Sequence, residues 1–597
     1  SYYNFGDTIG RSREFAGLAY NVNIGAFSLL LKLPFLLYFF FNSSNLKSAI
    51  FIGILILMSI FNIFITGSRA GFIALFLIFS YFLFESLLKK DLKKVFYIVS
   101  FISISLSINY YLFKDNSDSV NVLERVVDIN NDSSQSRLRF YLISLKETFT
   151  KPFIGSGLGT YKSESLKFEK NFTAGYSVPY NNHNDILQSG FELGIPGFFL
   201  YLFFILSIFY LLKDWLKSPL FSTLLLSSLV FFIDSNLNFP IHRPIIMIQV
   251  IFLISFISSK RPKILKLNIY IVSLLASISL ISFFALYKVN NSLRVQNILT
   301  SSFNEKIFNP KYFDRINDLD IKFPNISVTS LPIGSLVSYF YFNNDSLELA
   351  KNLAFQSKNV NPYIGFNDHV LSQIYLKENN IDSALFYAKL AFFNFPNTTH
   401  STSLQQIFEI NRDYKSLDSA FAQVKDRNFV VEWENYLAIY GSNKFDYDSI
   451  VYKRAKEALE LFPNSKTISR YANFILKDES SLQKAFILDT DALRLYEQKN
   501  YKEALKLWLD ASKILPDEEG YIDNIIKCYF ALSNFELVIE QIQNLGLDFK
   551  NTHPKYYYYL GVAYLSLNKN TQACTYFYQG VKLDHPESKN IYYKTCN

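Results

Sequence analysis

Uninterrupted apolar runs fill the first half of the chain, and they restrict what it can fold into more than any other feature. A bilayer core takes about 20 apolar residues per helix. Roughly eight stretches approach that length, at 17–41, 47–66, 70–87, 94–113, 194–212, 219–236, 243–259 and 267–287. Past residue 287 the runs stop, and Lys, Glu, Asp and Asn are spread throughout. The whole-chain values, 50% hydrophobic and 18% charged, average over two unlike halves. The expected fold class is all-α. A polytopic bundle of membrane helices covers 1–287, with a long loop at 114–193. A junction follows at 288–345, then a soluble α-helical repeat domain over 346–597. The chain begins with Ser and shows no signal peptide of the usual three-part form, so membrane helices upstream of residue 1 are an open expectation.

Lys and Arg in short loops set orientation. "LKKDLKKV" at 88–95, "LLKDWLKS" at 211–218 and "SSKRPKILK" at 258–266 are basic, and they alternate so that all three can face the cytoplasm. The "TGSRAG" turn at 66–71, the 114–193 loop, the "DSNLNFPIHRP" turn at 234–244 and everything after 287 then lie on the opposite side. The expected localisation is a bacterial inner membrane, multi-pass, with the polar half in the periplasm. The net charge of +8 is modest and no Lys/Arg block is dense, which argues against a nucleic-acid partner. Cys528, Cys574 and Cys596 lack metal-type spacing. Two readings of Cys574 and Cys596 stand: a disulfide in an oxidising compartment, or two buried thiols.

The polar half repeats itself. "SQIYLKENNIDSALFYAKLAFFNFP" places Tyr375, Ala384, Ala391 and Pro396 at tetratricopeptide offsets. "ALRLYEQKNYKEALKLWLDASKILP" gives Ala492, Ala504, Trp508, Ala511 and Pro516. "YYYLGVAYLSLNKNTQACTYFYQGVKLDHP" gives Tyr557, Leu560, Gly561, Tyr564, Ala573 and Phe577, with Pro586 one place late. "AKEALELFP", ending at Pro463, is a half-match. Small residues let paired helices approach and proline stops the second helix. Such arrays present surfaces for a protein partner, which the sequence does not name.

The candidate site residues lie on the loops opposite the basic ones. Arg69 sits in the "TGSRAG" turn, Arg137 and Arg139 in "SRLRFYLISLKETFTKPFIGSGLGTYKSE", and His242 and Arg243 in "NFPIHRP". Each arginine alone reads equally well as a snorkelling or solvated residue. "GSGLG" is too short for a P-loop and lacks its lysine. His183 stands in "PYNNHNDILQSGFELGIPG", beside Asn181, Asn182, Asn184, Asp185 and Gln188, immediately ahead of an apolar helix. A lone histidine serves structure more often than catalysis. A neutral imidazole beside guanidinium groups nevertheless suits proton abstraction near pH 7, and arginines clamp phosphates through paired hydrogen bonds. Together they suggest attack by a hydroxyl on a phosphate-activated donor, with a diphosphate leaving group.

Two of these segments resemble the O-antigen ligase superfamily, which includes lipopolysaccharide O-antigen ligases, O-antigen polymerases and bacterial protein O-oligosaccharyltransferases. Arg137 stands about fifteen residues before a P-x-x-G-x-G pattern, and H-N-x-x-L-Q at His183 runs into E-L-G-x-x-G. "AGLAYNVNIGAF" at 16–27 and "GSRAG" at 67–71 resemble the family's earlier motifs. The resemblance covers roughly residues 15–260. It implies transfer of a glycan from an undecaprenyl-diphosphate carrier to lipid A-core or to a protein Ser/Thr, at a site formed at the outer face of the membrane. On this analogy His183 is base or orienter. Arg137 and Arg69 hold the diphosphate with Arg243 as a further candidate, and Asn182, Asn184, Asp185, Gln188 and Arg139 support them. No cofactor and no metal are expected, since one carboxylate, Asp185, is a poor magnesium site. A polysaccharide polymerase is the alternative within the family. A non-enzymatic membrane-anchored repeat scaffold or transporter component is the alternative outside it.

Overall fold

The computed structural model describes residues 21–113, 132–213, 218–259, 268–424, 429–442, 449–545, 553–583 and 585–596. The start of the first apolar stretch and of the motif at 16–27, part of the 114–193 loop, and parts of the basic loops at 211–218 and 258–266 lie outside the described residues. Among the described residues there is no β-strand. Membrane-type helices follow in the order α1 (Val22–Leu30), α2 (Leu33–Phe41), α3 (Leu46–Thr66), α4 (Arg69–Leu88) and α5 (Leu92–Phe113). After α6 (Asp132–Thr150), a less apolar helix, come α7 (Asp185–Leu211), α8 (Pro219–Leu237), α9 (Pro244–Ser259) and α10 (Ile269–Glu305). Seven spans among the described residues are long and apolar enough to cross a bilayer, with α1 and α2 together making the first; α9 is shorter.

Local chemistry accounts for the irregularities. Pro34 lacks an N–H and crowds the carbonyl four residues back, so the first span breaks between α1 and α2. At this break the Leu31 carbonyl accepts a hydrogen bond from the Ser227 hydroxyl of α8 at 3.1 Å. Phe27, Ile60, Ile78, Ile205, Val230 and Val250, from six different helices, meet in one apolar core. The α10 span is different: residues 269–284 are exposed along their whole length, a surface suited to lipid. This helix runs on without interruption to Glu305, so the boundary expected at 287 falls inside a helix. The span expected to start at 194 continues a helix that begins at Asp185 and breaks at Gly194, and Asp132–Thr150 within the expected 114–193 loop is the helix α6.

Two compact units divide the chain. The first comprises Ser1–Asn171, Tyr176–Ile374 and Phe393–Phe395; the second comprises Phe172–Gly175, Tyr375–Phe392 and Pro396–Asn597. The second unit is made of antiparallel helix pairs of tetratricopeptide type. In the pair Glu479–Glu497 and Tyr501–Ile514, Ala492, Ala504, Trp508 and Ala511 are buried at the crossing, and the Trp508 indole N–H donates to Asp489 at 2.7 Å. Lys555–Ser566 pairs with Asn570–Lys582 around Leu560, Ala573 and Phe577. Pro586 opens the last helix, Pro586–Thr595, capped by His585, which explains its displaced position in the repeat. Cys574 and Cys596 are joined by a disulfide with Cα atoms 5.6 Å apart, and Cys528 is a buried free thiol.

Candidate active site at the ends of the membrane helices

The two segments that carry the family resemblance interlock through their backbones. Inside α7, Gly194 adopts φ +71, which breaks the helical hydrogen-bond ladder. The groups released there find partners in the "PFIGSGLG" loop. Ile195 N–H donates to the Pro152 carbonyl at 2.8 Å, and Ser156 and Gly157 N–H donate to the Phe191 and Glu192 carbonyls, both at 2.9 Å. A Cβ on Gly194 would lie 2.4 Å from the Pro152 carbonyl oxygen, so glycine is required both by conformation and by space. The buried Glu192 carboxylate completes the joint. It accepts Gly159 N–H at 2.8 Å and Gln188 Nε2 at 3.0 Å. The glycine loop therefore braces the kink ahead of which the "NNHND" segment stands.

His183 precedes that helix in a left-handed conformation, φ +65, uncommon for a residue with a side chain. Its carbonyl accepts a hydrogen bond from the Tyr141 hydroxyl at 3.1 Å. Its ring packs edge-on against Phe239, centroids 4.9 Å apart, and the Arg243 guanidinium lies over the same Phe239 ring at 4.4 Å. Burial pushes the His183 pKa down to about 4, and the positive charges of Arg137 and Arg243 add to the shift. Its Nδ1 is buried without a hydrogen-bond partner among the described residues, as is Arg243 Nε. Arg137 is half-buried on α6. Burial lowers its pKa from the usual arginine value, and the charge of Arg69 acts in the same direction. No carboxylate among the described residues pairs with Arg137. The geometry thus brings together His183, Arg137, Arg243 and Arg69 from four separate segments.

The remaining residues singled out from sequence divide their tasks. Asn184 caps α7 by accepting Leu187 N–H at 3.0 Å, and its amide donates to the Asn236 carbonyl at 3.3 Å. Asn182 is buried against Ser144, and its N–H donates to the Gln188 amide oxygen at 3.1 Å. Gln188 Nε2 also reaches His242 Nε2 at 3.0 Å. Asp185 turns away from the imidazole: it accepts Tyr201 O–H at 3.2 Å and Ile241 N–H at 3.3 Å, fixing the 234–243 turn. Arg139 is engaged elsewhere, its Nε–H donating to Glu169 at 2.9 Å. Sequence reasoning passed over Tyr141, Phe239, Asn236 and Glu192. Only Tyr141 carried a signal, four residues past Arg137 and so on the same face of a helix.

These features define a polytopic helical membrane protein with a basic, histidine-bearing site at the ends of its helices and a second unit of helical repeats. Residues 54–202 match a family model described as O-Antigen ligase. It is 29% identical over 245 residues to a ComP-specific O-oligosaccharyltransferase of Acinetobacter baylyi, an alignment covering 40% of this chain and 42% of that protein. The match thus spans less than half the length of this curated relative. Among solved structures, a human IFIT1 dimer with PPP-AAAA is 12% identical over 54% of this chain and 78% of that one, at a TM-score of 0.20. The APC/C hetero-tetramer Cut9–Hcn1 is 12% identical over 92% and 93%, also at 0.20. Likenesses at that score say nothing of this chain's ligands.

Proposed function

We propose that this protein is a membrane glycosyltransferase that moves a glycan from an undecaprenyl-diphosphate carrier to an acceptor hydroxyl. The observation that carries the reading is the placement of an imidazole, neutral at pH 7, beside guanidinium groups that no carboxylate among the described residues neutralises at Arg137. In the transfer step the acceptor oxygen bonds to the anomeric carbon and the bond from that carbon to the diphosphate breaks. The acceptor proton passes to His183. The departing diphosphate keeps the electron pair, and its charge is held by Arg137 and Arg69, with Arg243 beside the base. Asn184, Asn182, Asp185 and Gln188 hold the segment that carries His183.

A protein Ser/Thr acceptor is favoured over lipid A-core or a growing polysaccharide, because the matched relative bears the name ComP-specific O-oligosaccharyltransferase and the second unit is of a partner-binding type. The active face is assigned to the periplasm of a bacterial inner membrane. The basic loops, "LKKDLKKV" among them, support that side, and so does the Cys574–Cys596 bridge, which suits an oxidising compartment.

The test is a deletion strain complemented with variants, read by mass spectrometry of periplasmic proteins and lipopolysaccharide. His183→Ala is expected to abolish transfer with membrane insertion intact. Arg137→Lys is expected to lower it at least tenfold, since an ammonium cannot reproduce the guanidinium fork. Glycan found only on lipopolysaccharide would move the acceptor to lipid A-core, and loss of glycan chain length alone would identify a polymerase. Normal transfer by both variants would overturn the assignment and leave the scaffold reading.

A further inference from the structure

We propose that Tyr141 is a positioning residue that holds His183 in register with Arg137, an inference that rests on the transfer reading above. His183 occupies a backbone conformation that is strained for a side-chain-bearing residue and persists only where its surroundings over-determine it. The surroundings here are three converging segments. The Tyr141 hydroxyl donates to the His183 carbonyl at 3.1 Å and lies 3.3 Å from the Asn236 carbonyl. Asn184, the next residue after His183, donates its amide to that same Asn236 carbonyl at 3.3 Å. One phenol thus joins α6, the "NNHND" segment and the end of α8.

The position of Tyr141 on α6 gives this joint its consequence. It stands four residues, one helical turn, after Arg137, so both side chains leave the same face of one rigid helix. The arginine meets the leaving diphosphate and the phenol fixes the backbone that carries the base. The distance between base and diphosphate clamp is then set by one helical turn and one hydrogen bond. Burial raises the Tyr141 pKa, which keeps the hydroxyl a donor through the neutral range. Misplacement of a reacting group by about 1 Å costs on the order of 100-fold in rate, so a single locating hydrogen bond has leverage.

The experiment uses the full chain in nanodiscs. An undecaprenyl-diphosphate-linked disaccharide serves as donor and the envelope fraction of the deletion strain as acceptor, with rates normalised to folded protein by thermal melt. Tyr141→Phe removes the hydroxyl and keeps the ring. We expect kcat to fall about tenfold with the donor KM within twofold and the melting temperature little changed. The acid limb of the Tyr141→Phe kcat/KM profile should move toward higher pH, because a His183 ring no longer held in its buried place loses part of the burial that lowers its pKa. Wild-type kcat for Tyr141→Phe, a loss confined to KM, or an unmoved acid limb each overturns the proposal. If His183→Ala itself retains full transfer, the functional reading falls first. If His183→Ala is inactive and Tyr141→Phe keeps the wild-type kcat, only the positioning role falls.

Discussion

The His183 imidazole is held with its pKa near 4 chiefly by burial, then by Arg137 and Arg243, and this has a definite pH signature. In the free enzyme the acid limb of kcat/KM should fall near pH 4 rather than near 6.5, the ordinary value for histidine. Arg137→Ala removes one of the charges that lower it, so the limb should move toward higher pH. A limb that stays fixed in Arg137→Ala, or one near 6.5 in the wild type, would separate His183 from the proton transfer. The stability linkage has the same origin. The folded pKa lies below the unfolded one, so between pH 6.5 and 4 the unfolded chain binds the extra proton. The group's contribution is complete above the unfolded pKa and is lost as pH falls through that window.

At the scale of elements, the kink in α7 depends on one residue. Gly194→Ala places a side chain at φ +71 and drives its Cβ into the Pro152 carbonyl. We expect a loss of at least about 2 kcal/mol, seen as a lower melting temperature in detergent, with transfer lost in parallel. Gly159→Ala is the control. It has a similar positive φ of +74 but open space around the added carbon, so it should cost only the strain, about 1 kcal/mol. Equal losses in the two variants would show that the close approach to Pro152 is unimportant.

The α7 joint also marks where sequence reading stops. "GSGLG" and "ELGIPG" are each visible as glycine patterns, but they meet through carbonyls and N–H groups that every residue has, so no side-chain type announces the contact. The arginines and His183 were legible because their chemistry is rare in apolar surroundings. Phe239 was not, because one more phenylalanine in a chain with 60 of them carries no distinction. Repeat pairs such as Glu479–Glu497 with Tyr501–Ile514 were readable from small residues at fixed spacing. Thr398–Ile410 with Tyr414–Ala422 was not, since it packs on Leu404, Phe408 and Leu417 instead of an alanine-rich crossing.

At the scale of the whole molecule, the sidedness assigned here joins two features that have no chemical relation to each other. Basic loops are retained on the cytoplasmic side by the energetics of insertion. A disulfide persists only where thiols are kept oxidised. Both support the proposed periplasmic placement of the residues after α10. A reporter fused after residue 300 should therefore be active only as a periplasmic reporter. In intact cells Cys574 and Cys596 should resist alkylation until reduced, whereas Cys528 should react only after unfolding, without a reductant. The bridge spans a sequence separation of 22 residues, for which loop-closure entropy gives about 3 kcal/mol of stabilisation. Cys596→Ser should then loosen the terminal helix pair and lower the melting temperature of the chain, and reductant should reproduce that shift in the wild type while leaving Cys596→Ser unaffected. Free, alkylatable Cys574 and Cys596 in untreated cells, together with a cytoplasmically active reporter, would invert the topology. His183 and its arginines would then face the cytoplasm, and the transfer reading would lose its periplasmic acceptor.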